Sequence, residues 1–169
     1  MKTRVFTNPV FGDKATFLET SEETNGAYSY GEVELAAGGG NFPHYHNEFQ
    51  ETFTVVDGTL SMLFKDKWLT LEKGESFTVP PGSIHCFKNN SNQKITFRVK
   101  VVPGHEGFEN SIKILYGLAT DRLTDKKGAP KKLSHTALLF QIGDIKLTGF
   151  FSLLAPIMNW MAKRARNNG

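Results

Sequence analysis

Two stretches decide the reading of this 169-residue chain: Gly38-Gly-Gly-Asn-Phe-Pro-His-Tyr-His46 and Gly74-Glu-Ser-Phe-Thr-Val-Pro-Pro-Gly-Ser-Ile-His-Cys-Phe-Lys-Asn89. His44 and His46 lie two apart in a segment expected to be extended, so both imidazoles point to one side of a strand. Glu51 follows at a distance that leaves room for a small turn or bulge before it, too, points inward. His85 comes from a separate strand, after a turn stiffened by Pro80, Pro81 and Gly82. A lone histidine in a strand is usually packed or solvated. A His-x-His pair joined by a carboxylate and a distant third histidine points to a metal site. Three neutral imidazoles and one carboxylate suit Fe(II), Mn, Ni, Co, Cu or Zn rather than Ca or Mg. The expected cofactor is one divalent transition metal ion, and the ligands alone do not choose which.

Outward from these stretches, the pattern is of short strands. Tyr30 to Leu35 alternates, with Val33 and Leu35 on one face and Glu32 and Glu34 on the other. Phe53 to Val56 reads as a strand ending at Asp57-Gly58, a hairpin signal. Thr59 to Phe64, Trp68 to Leu71, Ser76 to Val79 and His85 to Phe87 follow, and Ile95 to Val102 alternates with Ile95, Phe97, Val99 and Val101 on one face. Many short strands separated by Gly and Pro turns predict a mainly β sandwich or barrel.

Residues 1–27 read as an extended N-terminal segment, with a strand expected within Ala15 to Thr20, lying along a sheet edge or exchanged with a partner. After Pro103-Gly104 the period changes. Phe108 to Leu118 and Leu133 to Ile142 read as helices around a charged loop, Thr120 to Lys132. Leu147 to Ala165 reads as a third helix with a kink expected at Pro156. That last helix is apolar nearly all round and ends in Lys163-Arg164-Ala165-Arg166. Packing against the barrel or a partner is the expectation; a peripheral membrane anchor with snorkelling basic residues is the alternative.

The two stretches resemble the paired motifs of the cupin superfamily. The first motif is a glycine, five residues, His-x-His, three or four residues, Glu, six residues and a glycine; Gly38, His44, His46, Glu51 and Gly58 match it in full. The second is a glycine, five residues, Pro-x-Gly, two residues, His, three residues and Asn; Gly74, Pro80, Gly82, His85 and Asn89 match it in full. The short gap between them is similar to compact microbial single-domain cupins. The resemblance covers residues 28–103. It implies a double-stranded β-helix (a jelly-roll barrel) with one central metal; the helical pattern after it reads as a C-terminal extension over 104–169. The resemblance carries the role of metal ligand to His44, His46, Glu51 and His85. Gly58 and Gly82 then hold turn positions.

Other polar residues carry weaker signals. Gln50 replaces Glu51 as ligand only if a bulge shifts the register. Glu48 shares parity with His46, as a neighbour of the ligands or a solvated residue. His105 is expected at the surface, with a lid role as the alternative, and His135 as a structural helix residue. Cys86 alternates away from the metal if His85 points in. Phe42, Tyr45, Phe49, Phe53, Phe87 and Phe97 are candidates for an apolar pocket or for plain core.

Composition narrows the function classes. With 39% hydrophobic residues, 22% charged residues and 14 Phe, disorder is not expected. A net charge of +3, with no basic run outside the C-terminus, gives little support for a nucleic-acid partner. The lone cysteine, Cys86, together with a start that lacks an apolar signal core, leads to the expectation of a cytoplasmic protein. No apolar run reaches the length of a membrane span. The leading expectation is a metal-dependent enzyme acting on a small organic molecule, with dioxygenase or other oxidoreductase chemistry first. Isomerase or lyase chemistry is compatible with the same ligand set. Glu51 is the candidate catalytic base. A non-enzymatic module that binds or senses a small molecule is the alternative. The apolar surfaces at both ends lead to the expectation of a homodimer.

Overall fold

The computed structural model describes residues 4–148, 160–162 and 164. Its strands are β1 (Val5–Asn8), β2 (Asp13–Glu19), β3 (Ser29–Leu35), β4 (His44–Tyr45), β5 (Gln50–Asp57), β6 (Leu60–Phe64), β7 (Lys67–Leu71), β8 (Ser76–Val79), β9 (His85–Lys88), β10 (Ile95–Val102) and β11 (Lys146–Leu147). Two helices, α1 (Glu106–Thr120) and α2 (Leu133–Ile142), separate β10 from β11. The strands form two antiparallel sheets, ordered β1-β2-β3-β10-β5-β8 and β11-β4-β9-β6-β7.

The alternation read along β3, β5 and β10 explains why the sheets close on each other. Leu35, Phe53, Val55, Ile95 and Phe97 of the first sheet pack with Leu60, Met62 and Leu71 of the second, all at 7% exposure or less. Opposite these, Glu32 and Glu34 take outward positions, where they pair with Arg98 and with Lys14 and Lys94. The result is the mainly β, two-sheet jelly-roll expected from the motifs, with helices added after the last long strand.

Three elements differ from the sequence reading. Asp57-Gly58 does not close a hairpin, because β5 lies in the first sheet and β6 in the second. The chain turns a corner between sheets there. Gly58 has φ +80, and a Cβ at that position would lie 2.5 Å from the Ile95 Cγ2. Glycine is thus required by both backbone and space. The N-terminal segment supplies two strands, and β2 pairs with β3 to extend the first sheet. At the other end, Leu147 is not helical; it pairs with His44 in β11. Residues 160–162 and 164 are helical, while most of the third expected helix, including Pro156, lies outside the described residues. Among the described residues, no helix is long and apolar enough to cross a membrane.

Helix α1 is tied to the sheet by a buried carboxylate. Glu109, 2% exposed, accepts hydrogen bonds from the Ser21 amide and the Ser29 hydroxyl at 2.6 and 2.7 Å. Helix α2 runs back against α1 at a close crossing, where a Cβ on Gly107 would fall 2.0 Å from the Ile142 carbonyl oxygen.

Candidate metal centre

Register in the two sheets brings the four expected residues to one place. In the first sheet, Glu51 pairs with Val101, and Val101 with Ser29, so Glu51 points to the same inner side as the core residues of β10. In the second sheet, His44 pairs directly with His85, with ring centroids 4.5 Å apart. His46 follows β4 on the same parity as His44. The ligand atoms of His44, His46, Glu51 and His85 all lie within 4.8 Å of one another, and all four side chains are buried.

The hydrogen bonds at the outer ring nitrogens set how these histidines face. Nδ1 of His44 lies 2.8 Å from the Phe42 carbonyl, Nδ1 of His46 3.0 Å from the Asp144 carbonyl, and Nδ1 of His85 3.0 Å from the Ser83 carbonyl. A carbonyl oxygen only accepts, so each Nδ1 carries the proton and each neutral ring turns an Nε2 lone pair inward. Nε2 of His44 and His46 then face each other at 3.1 Å. Nε2 of His85 faces Glu51 Oε2 at 2.7 Å, and Nε2 of His46 lies 3.5 Å from the same oxygen. The facing Nε2 lone pairs of His44 and His46 are repulsive unless a cation shares them. Donors at about 2.0–2.2 Å from one ion stand at separations of this order. The donor set could therefore hold a metal ion.

Electrostatics agree with that role. Burial, reinforced by the neighbouring His85 and His46, pushes His44 down to about 4. Burial also lowers His46, partly offset by Glu51. Burial opposes ionisation of Glu51, but the His85 hydrogen bond and the nearby histidines outweigh it and hold the carboxyl below its ordinary value. Burial opposes charge on His85 as well, and the contact with Glu51 outweighs it and raises that imidazole. Burial thus favours the neutral form of His44 and His46, whereas Glu51 and His85 each favour the other's charged form.

Asp144 was missed by the sequence reading. It follows α2, with φ +50, and its carboxylate accepts from the Asn47 and Glu48 amides at 2.6 and 2.8 Å while its carbonyl holds His46. Lys146 pairs with it at 3.0 Å. The helical extension is thus wired to the ligand loop. Only the Gly143-Asp144 break after a helical pattern hinted at a special position there.

The weaker candidates fall outside the cluster. Gln50 alternates away from Glu51, half-buried, and no bulge brings it inward. Glu48 is exposed and lies 2.9 Å from His105 Nε2. His105 caps α1, its Nδ1 accepting from the Phe108 amide. Cys86 is buried beside Leu63 on the other side of β9 from His85. His135 lies in α2 with its Nδ1 buried and unpartnered. Phe49 is core, stacked on His46 at 4.4 Å between centroids. Phe42, Phe53, Phe87 and Phe97 line a cavity of about 510 Å³ that reaches His44, His46 and Glu51, whereas Tyr45 does not. Residues of α1 and α2 complete the same cavity.

Comparison with known proteins bears on the fold. The cupin domain family model matches residues 31–102. Germin-like protein subfamily 2 member 4 of Arabidopsis thaliana is 29% identical over 133 residues, covering 76% of this chain and 57% of that protein. Germin-like protein subfamily 2 member 1 of the same plant is 36% identical over 69 residues, 38% of this chain and 32% of that one. The chain thus spans little more than half of the first relative and a third of the second. Among solved structures, an RmlC-like cupin from Shewanella frigidimarina superposes with TM-score 0.53 at 20% identity, over 63% of this chain and 89% of that one. A predicted oxalate decarboxylase from Thermotoga maritima gives TM-score 0.51 at 18% identity, over 54% of this chain and 80% of that one. The barrel, the matched domain and the His, His, Glu, His cluster converge on residues 31–102 of this chain as a cupin domain.

Proposed function

We propose that this cupin is a metal-dependent enzyme acting on a small organic molecule, with oxidoreductase chemistry of the dioxygenase type as its reaction class. The observation that carries the reading is the facing of two inward lone pairs, with Nε2 of His44 and His46 at 3.1 Å and both Nδ1 atoms already committed to carbonyls. A bound transition metal supplies open coordination positions that take water, dioxygen or a chelating substrate. His44, His46, Glu51 and His85 are the residues that hold it.

The chain itself supplies the rest. Phe49 stacked on His46 and Phe53 near His85 fix the rings and keep bulk water from their faces. Glu51 is the proton acceptor: its carboxylate stays ionised, and Oε2 sits where a proton leaving a substrate oxygen or carbon can be taken. His85, in contact with that oxygen at 2.7 Å, shares the proton. The same geometry admits isomerisation or elimination, which also begin with proton removal beside a Lewis acid. Diphenols and 1,3-diketones are the first substrates to assay, with oxygen consumption as the readout. Turnover by the metal-loaded protein that His46→Ala loses supports an enzyme. Tight binding of these compounds without turnover favours a sensing or binding module.

We also propose a homodimer in the cytoplasm. Among the described residues, strand β1 is an outermost strand of the first sheet, and its Val5 is 48% exposed. Paired edges are a common way to cover such a strand.

A further inference from the structure

The wall of the cavity speaks to what the metal centre would act on, and this inference rests on the reading of that centre given above. Pairing across β2, β3, β10 and β5 puts Ala15, Val33 and Phe97 in one row and Phe17, Gly31, Val99 and Phe53 in the next. Val101 and Glu51 form the row after that. These rows share one face, so the apolar wall runs directly up to the ligand carboxylate. Val33 and Val99 pack against the core yet are only half-buried mid-strand on this face, and Ile112 and Leu115 on α1 are half-buried too, because all four also border the void.

Polar groups along the wall are largely spoken for. The Ser29 hydroxyl donates to Glu109, the Ser111 hydroxyl to the Phe108 carbonyl, and an Asp13 oxygen accepts from the Ala36 amide. Among the described residues, the Tyr116 and Thr136 hydroxyls and the Asn41 side-chain nitrogen in the lining have no hydrogen-bond partner. Among the described residues, the only lysine in the lining, Lys127, is exposed in the loop before α2, and none of the lining residues is an arginine. A polyhydroxylated substrate would leave most of its hydroxyls unpaired here, which is costly in a buried site. An apolar body would not. The charge at the centre is different: a divalent ion with three neutral imidazoles and one carboxylate keeps a net positive charge and favours an anionic oxygen donor. The volume of about 510 Å³ falls within the range that encloses a drug-sized organic molecule.

We propose that the site takes a largely apolar organic anion, with one small oxygen-donor head at the His44, His46, Glu51 and His85 cluster and a hydrocarbon or aromatic body in the cavity beneath α1 and α2. Only a few further polar groups are matched, by the Tyr116 and Thr136 hydroxyls and the Asn41 side-chain nitrogen.

The test is calorimetric titration of the full chain, loaded with Co(II) and metal-free, with acetate, butyrate, hexanoate, octanoate and gluconate. The visible spectrum of Co(II) reports whether the head reaches the metal. With Co(II) bound, the dissociation constant is expected to fall roughly three- to fourfold per added methylene. Hexanoate is expected to bind at least tenfold more tightly than gluconate, which has the same number of carbons. Val99→Phe, which fills the cavity and keeps a strand-compatible apolar residue, is expected to weaken octanoate and leave acetate unchanged. Leu115→Trp tests the opposite wall with the same expectation. Equal affinity from acetate to octanoate, or gluconate matching hexanoate, overturns the apolar body even where Co(II) is held. Chain-length dependence that is the same with and without Co(II), with no spectral change, overturns the anchoring at the metal and counts against the metal-centre reading instead.

Discussion

At the scale of single residues, the centre is defined by which nitrogen of each histidine is occupied. Carbonyls from Phe42, Asp144 and Ser83 take the outer nitrogens, so the inner ones have no proton to offer one another. His85 is the exception in charge: contact with Glu51 raises it, so the metal-free pair holds its proton to higher pH than a free imidazole does, and a metal must displace that proton. Metal uptake is therefore expected to release about one proton below the raised His85 value, and fewer as pH climbs through it. Apparent affinity should rise with pH over that window and then level off. Calorimetry in buffers of different ionisation enthalpy measures the proton count directly. His44, pushed down to about 4, adds no proton to displace at neutral pH. Asp144 belongs to this scale too. Asp144→Ala removes the acceptor for two amides of the ligand loop, and metal affinity is expected to fall about 10- to 100-fold, as for other partners behind metal ligands. A competitive chelator titration reads this, and unchanged affinity would show that the loop holds itself.

At the scale of elements, the four-residue cluster was legible because the motifs fix positions that a jelly-roll needs. His44 and His46 share parity, Glu51 lies on β5 facing inward, and Pro80 to Gly82 deliver His85 to the strand beside β4. The ends of β8, β10 and α2 were also readable, since strict alternation or helical spacing runs unbroken there. What the sequence could not carry was pairing between distant segments. Asp57-Gly58 has the residues of a hairpin turn, and only the three-dimensional path shows that it crosses between sheets. The contact of Asp144 with Asn47 spans nearly the whole barrel and leaves no local periodic signal. Asn89 illustrates the same limit: as the last residue of the second motif it invites a functional role, yet it is fully buried and its amide bonds the Leu35, Ala36 and Gln93 carbonyls. Its work is to pin a turn. Gly107 gives an element-scale prediction. Gly107→Ala puts a Cβ into the Ile142 carbonyl, forcing α2 and the Asp144 segment away from α1. A loss of about 2–3 kcal/mol in urea unfolding is expected, from overpacking against backbone that cannot rotate aside. Weaker metal binding should accompany it. Full stability would mean that the helix crossing relaxes freely.

At the scale of the whole molecule, the barrel and the helical extension share both the core and the site. The extension ties itself to the sheet through Glu109, roofs the cavity with α1 and α2, and reaches the metal loop through Asp144. Its removal should therefore cost metal affinity as well as stability. The interior is dominated by aromatic packing, with Phe53, Phe87 and Phe97 at centroid separations of 5.1–6.1 Å. Phe97→Ala, at a fully buried site, is expected to cost roughly 3–5 kcal/mol, measured by thermal or urea melting. In sedimentation, the proposed homodimer runs at twice the chain mass; a species of 18.9 kDa contradicts it.

The central claim is that four buried side chains hold one transition metal. It is tested most directly by elemental mass spectrometry of the full chain, purified without chelator or immobilised nickel, beside His46→Ala prepared identically. The account predicts close to one Fe, Mn, Ni, Cu or Zn per chain in the parent protein and a loss of most of it in the variant. Metal absent from the parent even after reconstitution, or retained in full by the variant, would contradict the account.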